Sequence, residues 1–250
     1  MSIVDDLIGS LDIGAAPNDI RVGAYWTSVV MERGGKLQAG LSSTLHNDSH
    51  PHKYPPMRTA GSLLEWSASE LVELARSESL LEASVGMAAI NALLAVDEGG
   101  CTEVNASDII IREGAGRRVA IVGHFPFIAE VREAVEKLWV LELRPQAGDL
   151  PAGRAPEVIP QADVVAITGT ALINHTFSEL VSLCRPDAYV IVLGGSTPLS
   201  PVLFHYGVHA VSGTKVVDIS DVLQAVSQGA TFRQIPGKRL LTMESLVGEG

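Results

Sequence analysis

From Arg118 onward, short apolar runs alternate with segments of helical spacing. The run Val119-Ala-Ile-Val122 ends at Gly123, as a strand buried on both faces does. The chain then turns through His124-Phe125-Pro126 into a helical pattern whose first turn tolerates the proline. The same reading predicts strands at 118–123, 138–143, 163–168, 188–194 and 208–212. Helices are expected near 127–137, 176–184, 199–206 and 220–228, with Thr176 and Glu179 spaced as a capping box. Alternating β and α segments predict a parallel sheet with helices on both faces.

The first hundred residues follow another pattern. Ile3, Leu7 and Leu11 share one face of a short helix over 1–11. Residues 21–31 and 37–43 are β-rich and flank Gly34-Gly35, which predicts a hairpin. Three prolines and no periodicity make 46–58 a loop. Ser67 with Glu70, and Ser79 with Glu82, are spaced as capping boxes that open two helices. The second of these carries Leu81, Val85, Ala88 and Ala92 at core spacing. Gly99-Gly100 punctuates the end of this region, and Asp108-Ile-Ile-Ile-Arg112 reads as a linking helix. The chain thus divides by pattern into a small α+β unit, 1–105, and an α/β unit, 106–250.

Composition narrows the partners. With 46% hydrophobic and 19% charged residues the chain is globular rather than disordered. Its net charge of -11 argues against nucleic acid or an anionic membrane as partner, because both select basic patches. A cation is favoured instead. Cys101 and Cys184 stand far apart and predict two reduced thiols. The N-terminus carries acid where a signal peptide would carry base, and no apolar run reaches membrane-spanning length. A cytoplasmic protein is expected.

Open α/β sheets take ligands outside the carboxyl ends of their strands. Four predicted strand ends carry glycine, hydroxyl or acid: Gly123-His124-Phe125-Pro126, Glu142-Leu143-Arg144-Pro145, Thr168-Gly169-Thr170 with Asn174, and Gly194-Gly195-Ser196-Thr197-Pro198. Glu142 follows Gly123 by about twenty residues, where nucleotide-binding folds keep an acid for a ribose hydroxyl. The first turn lacks GxGxxG, however, because Phe125 and Pro126 stand where a pyrophosphate would approach. A solvated strand-end acid is the other reading of Glu142, and the weightier one. The Gly194–Pro198 segment offers backbone amides to an anionic group or forms a tight turn with Ser196 or Thr197 as N-cap. Asn174 reads equally as a ligand contact or a turn-former.

His46, His50 and His52 form a metal-like cluster within one segment, with Asp48 as a hard fourth ligand. A solvated loop with incidental histidines is the other reading, and the weightier one. Among the other histidines His124 is best placed to meet a ligand, His175 and His205 come next, and His209 reads as structural. GxSxG, Walker A and HExxH are absent, which disfavours a hydrolase.

Five segments carry a family resemblance: Gly123-His-Phe-Pro-Phe127, Gly148-Asp-Leu-Pro151, Ile167-Thr-Gly-Thr-Ala-Leu-Ile-Asn174, Gly195-Ser-Thr-Pro-Leu-Ser-Pro201 and Gly213-Thr214. Together they resemble the putative heavy-metal chelation family, a domain of unknown function with a Rossmann-like fold. That domain is commonly preceded by a small one resembling the N-terminal domain of enolase, whose helix Ser84-Val-Gly-Met-Ala-Ala-Ile-Asn-Ala92 looks like. The resemblance implies an α/β chain: a C-terminal Rossmann-like parallel sheet with helices on both faces, plus a small α+β N-terminal domain. It also implies that Gly123, Thr168, Gly169, Thr170, Asn174, Ser196, Thr197 and Pro198 line the cleft between them. It assigns no catalytic residue, and the histidine loop lies outside its motifs. The expected function is binding of a divalent transition metal, or a metal-bearing small molecule, in that cleft. The alternative is an enzyme using a nucleotide-like cofactor, S-adenosylmethionine or a nicotinamide, with Glu142 on the ribose. The ligand's identity, any reaction and the oligomeric state, a homo-oligomer included, stay open at this level.

Overall fold

Two sheets share one chain in the computed structural model, which describes residues 2–47 and 55–245. Helix α1 (Ile3–Gly9) buries Ile3, Val4 and Leu7. Strands β1 (Ala16–Val22), β2 (Trp26–Arg33) and β3 (Lys36–Ser43) form an antiparallel sheet in that order. The expected hairpin is β2–β3, closed by Gly34 and Gly35 at φ of 57° and 76°. The β-rich run 21–31 is divided between two strands: Arg21 and Val22 finish β1, and the chain bends before Trp26 opens β2. At that bend a Cβ on Gly23 would fall 2.3 Å from the Val226 carbonyl oxygen, so only glycine fits.

Helices α2 (Ala68–Glu73) and α3 (Leu80–Leu93) follow. Ser67 caps α2 as expected, its Oγ accepting the Glu70 N–H while the Glu70 carboxylate accepts the Ser67 N–H. The second expected capping box does not form. Ser79 Oγ donates to the Pro56 carbonyl, and Glu82 turns instead to Arg58 and Ser77. Twelve of the fourteen residues of α3 are buried, so this helix is apolar all round and runs through the core.

The rest of the chain alternates. In order come α4 (Ala106–Gly114), β4 (Arg118–Val122), α5 (Ile128–Ala134), β5 (Lys137–Glu142), β6 (Leu150–Pro151) and α6 (Ala155–Val158). Then follow β7 (Val164–Thr168), α7 (Thr170–Ile173), α8 (Phe177–Ser182), β8 (Tyr189–Leu193), β9 (Ala210–Val216), α9 (Ile219–Ser227) and β10 (Lys238–Glu244). The sheet order is β10-β9-β8-β7-β4-β5-β6, parallel throughout except for the β9–β10 pair. Thr176 stands at the start of α8 without making a side-chain cap, and 199–206 is a 3-10 turn (Pro201–Tyr206) rather than an α-helix.

Alternate residues of the parallel strands enter different cores. Val119, Ile121, Val140, Val164 and Ile191 face Ile109 and Ile110 of α4 and Ile128 and Val131 of α5. Ala120, Val122, Val165, Ile167 and Val192 belong to the other core, which is continuous with Leu71, Val85, Met87 and Ile90 of the N-terminal helices. A third cluster packs Val222 and Val226 of α9 on Leu41 of β3. Apolar burial of this extent is the main force joining the three-stranded sheet to the seven-stranded one. Among the described residues no helix is long and apolar enough to cross a membrane.

One ion pair ties the chain after the 48–54 segment to α3. Glu82, with its side chain 1% exposed, accepts from the Arg58 N–H and guanidinium and from Ser77 Oγ. Burial pushes this carboxyl up, but those donors together outweigh it and hold it at about 2 instead of 4.5. Its stabilisation is therefore complete above pH 4.5 and is lost as pH falls towards 2. Arg58→Ala removes the charged donors and is expected to cost about 2 kcal/mol at neutral pH. The difference from wild type should shrink as Glu82 protonates. Urea titrations at pH 7 and 3 check this, and a pH-independent difference would contradict it.

Candidate functional site

Strand succession reverses between β4 and β7, and a crevice opens at their carboxyl ends. Gly123 and Gly194 terminate β4 and β8 with φ of 105° and 114°, which turns the chain sharply away from the sheet. The Phe125 ring lies across both turns, 3.2 Å from where a Cβ of Gly123 would stand and 3.8 Å from that of Gly194. It stacks on Phe127 with centroids 5.2 Å apart. Two cavities of about 390 and 640 Å³ meet here, and His124, Phe125, Thr168 and Thr170 line both.

The smaller cavity lies beside the end of β5, among Glu142, Leu143, Ala152, Pro156 and Asn174. The larger one reaches the three-stranded sheet at Trp26 and Ser43, and its wall includes Gly169, Gly194, Gly195 and Ser196. Trp26 and Phe232 pack together, centroids 4.8 Å apart, over Gly195. A Cβ on Gly195 would stand within 2.6 Å of both rings. Neither aromatic residue was expected at the site, because each comes from a region with no strand-end motif.

His124 is fixed at both ends. Its backbone N–H donates to Glu142 Oε2 at 2.9 Å, and its ring Nδ1 stands 2.9 Å from Asp149 Oδ2. The other Glu142 oxygen accepts the Leu143 N–H at 2.7 Å. The Glu142 carboxylate thus clamps the end of β4 to the end of β5, and it also lines the smaller cavity. Asp149 was not predicted as a site residue, although it stands in the Gly148–Pro151 motif. Its side chain is 2% exposed and also receives the Gln146 N–H at 3.0 Å.

The remaining expected site residues divide. Thr168 and Thr170 join their hydroxyls at 3.0 Å on the ridge between the cavities. Gly169 must be glycine, since a Cβ would fall 2.4 Å from Thr197 Oγ1. Asn174 uses Oδ1 to accept from the Thr176 N–H and hydroxyl, so it forms a turn, and it also lines the smaller cavity. Ser196 is a seam residue: its Oγ accepts the Ser43 N–H at 2.8 Å and donates to Ser43 Oγ at 3.0 Å. Asn91 of α3 reinforces this seam by donating to the carbonyls of Leu41 and Ser196. Thr197 and Pro198 are buried behind it and line neither cavity.

Of the histidine loop, His46 is exposed, while Asp48, His50 and His52 lie outside the described residues. His175 pairs through Nε2 with the Ser77 carbonyl, and His209 Nδ1 accepts the Val190 N–H as a structural histidine would. Among the described residues no group of three His, Cys, Asp or Glu side chains is arranged to hold a metal ion. A protein-held transition metal takes three or four such ligands. Among the described residues the two cavities are lined by one imidazole, that of His124, and by the separate carboxylates of Glu130, Glu142 and Glu179. This donor set does not fit an ion held by the protein alone.

Comparison with known proteins agrees with this architecture. Residues 105–244 match the DUF364 family and residues 5–94 match DUF4213, each described as "Putative heavy-metal chelation". A crystal structure of a DUF364 protein with unknown function from Desulfitobacterium hafniense superposes with a TM-score of 0.80 at 24% identity, covering 97% of this chain and 98% of that one. A DUF364 protein from Pyrococcus horikoshii gives 0.82 at 21% identity with the same coverage. The uncharacterized protein MJ0500 of Methanocaldococcus jannaschii is 24% identical over 208 residues, 79% of this chain and 78% of that protein. With more than half of its length matched, the chain belongs to the DUF364 family of putative heavy-metal chelation proteins.

Proposed function

We propose that this chain binds a metal-bearing small molecule, a compact chelate that keeps a coordination position for one protein ligand. The ligand lies in the cleft between an N-terminal unit of residues 1–105, like the N-terminal domain of enolase, and a Rossmann-like unit of residues 106–250. The observation that carries this reading is the position of His124, at the meeting line of two cavities and held at both ends. The family description supplies the metal. The shortage of grouped donors among the described residues supports a ligand that brings most of its own coordination sphere. The imidazole donor suits nickel, cobalt, copper, zinc or iron better than magnesium or calcium.

Calorimetry and native mass spectrometry with nickel(II), cobalt(II), zinc(II) and iron(II), each as the bare ion and as its nitrilotriacetate complex, test the proposal. One equivalent of a complex should be retained, with weaker retention of the bare ion. Failure to take up any complex stoichiometrically would contradict it.

The nucleotide reading is weaker on two observations. The Phe125 ring covers the turns where a pyrophosphate would approach, and Glu142 is engaged by backbone amides. A thermal-shift screen with S-adenosylmethionine and nicotinamide dinucleotides should therefore be flat. A clear stabilisation by either would favour that reading instead.

A further inference from the structure

Helix α4 begins on the wall of the larger cavity, where Asn105, Ala106 and Ser107 line it, and its first turn is uncapped. Asn105 holds the N-cap position, but its side chain makes no capping hydrogen bond. The N–H groups of Asp108 and Ile109 both go to the Asn105 carbonyl. Those of Ala106 and Ser107 come too early to find a carbonyl within the helix, and no other acceptor among the described residues takes them. Ser107 is itself 9% exposed, and its hydroxyl has no hydrogen-bond partner among the described residues. Such burial costs free energy unless something supplies the missing bond. Buried hydroxyls elsewhere on the wall are spent: Thr242 donates to the Val104 carbonyl at 3.0 Å, Ser212 donates to Thr242 at 2.7 Å, and Ser196 donates to Ser43. Arg233 lines the same cavity from the 3-10 turn Phe232–Gln234, and its exposed guanidinium pairs with no carboxylate among the described residues.

We propose that the larger cavity binds a small aromatic oxyanion, a carboxylate or phosphate monoester on a planar body, whose head is taken by the α4 N-terminus, Ser107 Oγ and Arg233. Unpaired N–H groups and aligned peptide dipoles both favour an anion at a helix N-terminus. The guanidinium adds charge-assisted bonds. The body packs on Trp26 and Phe232, whose rings line the same cavity. Phe232 is held by Trp26, centroids 4.8 Å apart, and by the Lys238 ammonium 4.7 Å from its own centroid. A volume of about 640 Å³ is ample for such a molecule. Of the nearby acids, Asp108 in the first turn of α4 is exposed and does not line the cavity, whereas Glu130 does and opposes an anion. The head meant here is terminal: a diphosphate at the β4 and β8 turns would meet the Phe125 ring instead. The site needs no metal and is independent of the chelate reading.

Calorimetry and amide NMR of the full-length protein with phenyl phosphate and benzoate test this, with inorganic phosphate and acetate as heads without a body. One equivalent of phenyl phosphate or benzoate should bind, about 10-fold more tightly than its bare head, and shift the Ala106 and Ser107 amide resonances. The tighter of the two identifies the head as phosphate or carboxylate. Arg233→Gln should weaken that binding about 10-fold or more, Ser107→Ala should weaken it several-fold, and Glu130→Gln should tighten it. Neither Arg233 nor the Ser107 hydroxyl has a partner to lose, so both variants should unfold at the wild-type midpoint in urea. Arg132→Gln removes the same charge from an exposed position of α5 outside the cavity lining, and should bind as wild type does. Three results would each overturn the proposal: no saturable binding of either aromatic probe, binding that Arg233→Gln and Ser107→Ala leave unchanged, or equal weakening by Arg132→Gln. No probe carries a metal, so these results leave the proposed function standing, and failed uptake of the nickel complex leaves this site standing.

Discussion

Gly86→Ala is expected to lose about 3 kcal/mol of stability, although adding a methyl group inside a helix ordinarily gains about 1 kcal/mol. Gly86 sits in the second turn of α3, where that helix crosses the 3-10 turn Leu74–Arg76. A Cβ there would stand 2.0 Å from the Ala75 nitrogen and 2.6 Å from both the Ala75 Cα and the Leu74 carbonyl carbon. All three are backbone atoms, so no rotamer change can make room and the two segments must separate. Separation would open the core around Leu71, Ala75 and Val85, all of which are fully buried. Gly9 provides the control. It ends α1 with nothing within 4 Å of its would-be Cβ, so Gly9→Ala should be neutral or slightly stabilising. Urea unfolding of both variants checks the pair, and a Gly86→Ala protein as stable as wild type would show that the helix contact is looser than described.

His124→Ala is expected to weaken retention of a nickel(II)–nitrilotriacetate complex by more than about 100-fold, beyond the range typical of residues behind a ligand. The change removes the ring but keeps the backbone N–H that Glu142 accepts, so the ends of β4 and β5 stay joined. Fold stability should change far less than affinity, since the ring is partly exposed and the buried Asp149 carboxylate keeps the Gln146 N–H when the ring is removed. This split between affinity and stability is what separates a ligand from a structural histidine. His209→Ala should do the reverse, because its Nδ1 accepts the Val190 N–H and its ring stacks on Tyr189. Equal metal retention by wild type and His124→Ala would remove His124 from the site.

Much of this architecture was legible because it rests on periodicity. Buried parallel strands read as continuous apolar runs, and β4, β5, β7, β8 and β9 each overlap a predicted strand. β10 escaped notice for a physical reason: Lys238-Arg239 opens it, and as an antiparallel edge strand it needs no continuous apolar run. Arg239 pairs outward with Glu98 and with Glu103. The failed box at Ser79 shows a further limit. Glu82 has the spacing to reach back to its own helix end, yet Arg58, twenty-four residues upstream, offers three charge-strengthened bonds and wins.

The crevice was legible only in part. Strand-end glycines mark where the chain must turn, so Gly123, Gly169 and Gly195 could be picked out by type alone. Which of their neighbours face a cavity depends on what packs behind them. Ser196 and Thr197 look alike in sequence, but Ser196 lines the larger cavity with its hydroxyl spent on Ser43, whereas Thr197 is buried against Gly169 and lines neither cavity. Asp149, Trp26 and Phe232 reach the site across 25, 98 and 108 residues of chain from His124. No spacing rule connects them to it.

The most direct test of the central claim is an anomalous difference map, at the nickel absorption edge, from crystals of the wild-type protein grown with the nickel(II)–nitrilotriacetate complex. One dominant peak is expected in the crevice, about 2 Å from a ring nitrogen of His124, with the organic ligand extending into the adjoining cavities. A dominant peak elsewhere on the chain, or a crevice empty of metal while the complex is bound at other sites, would contradict it.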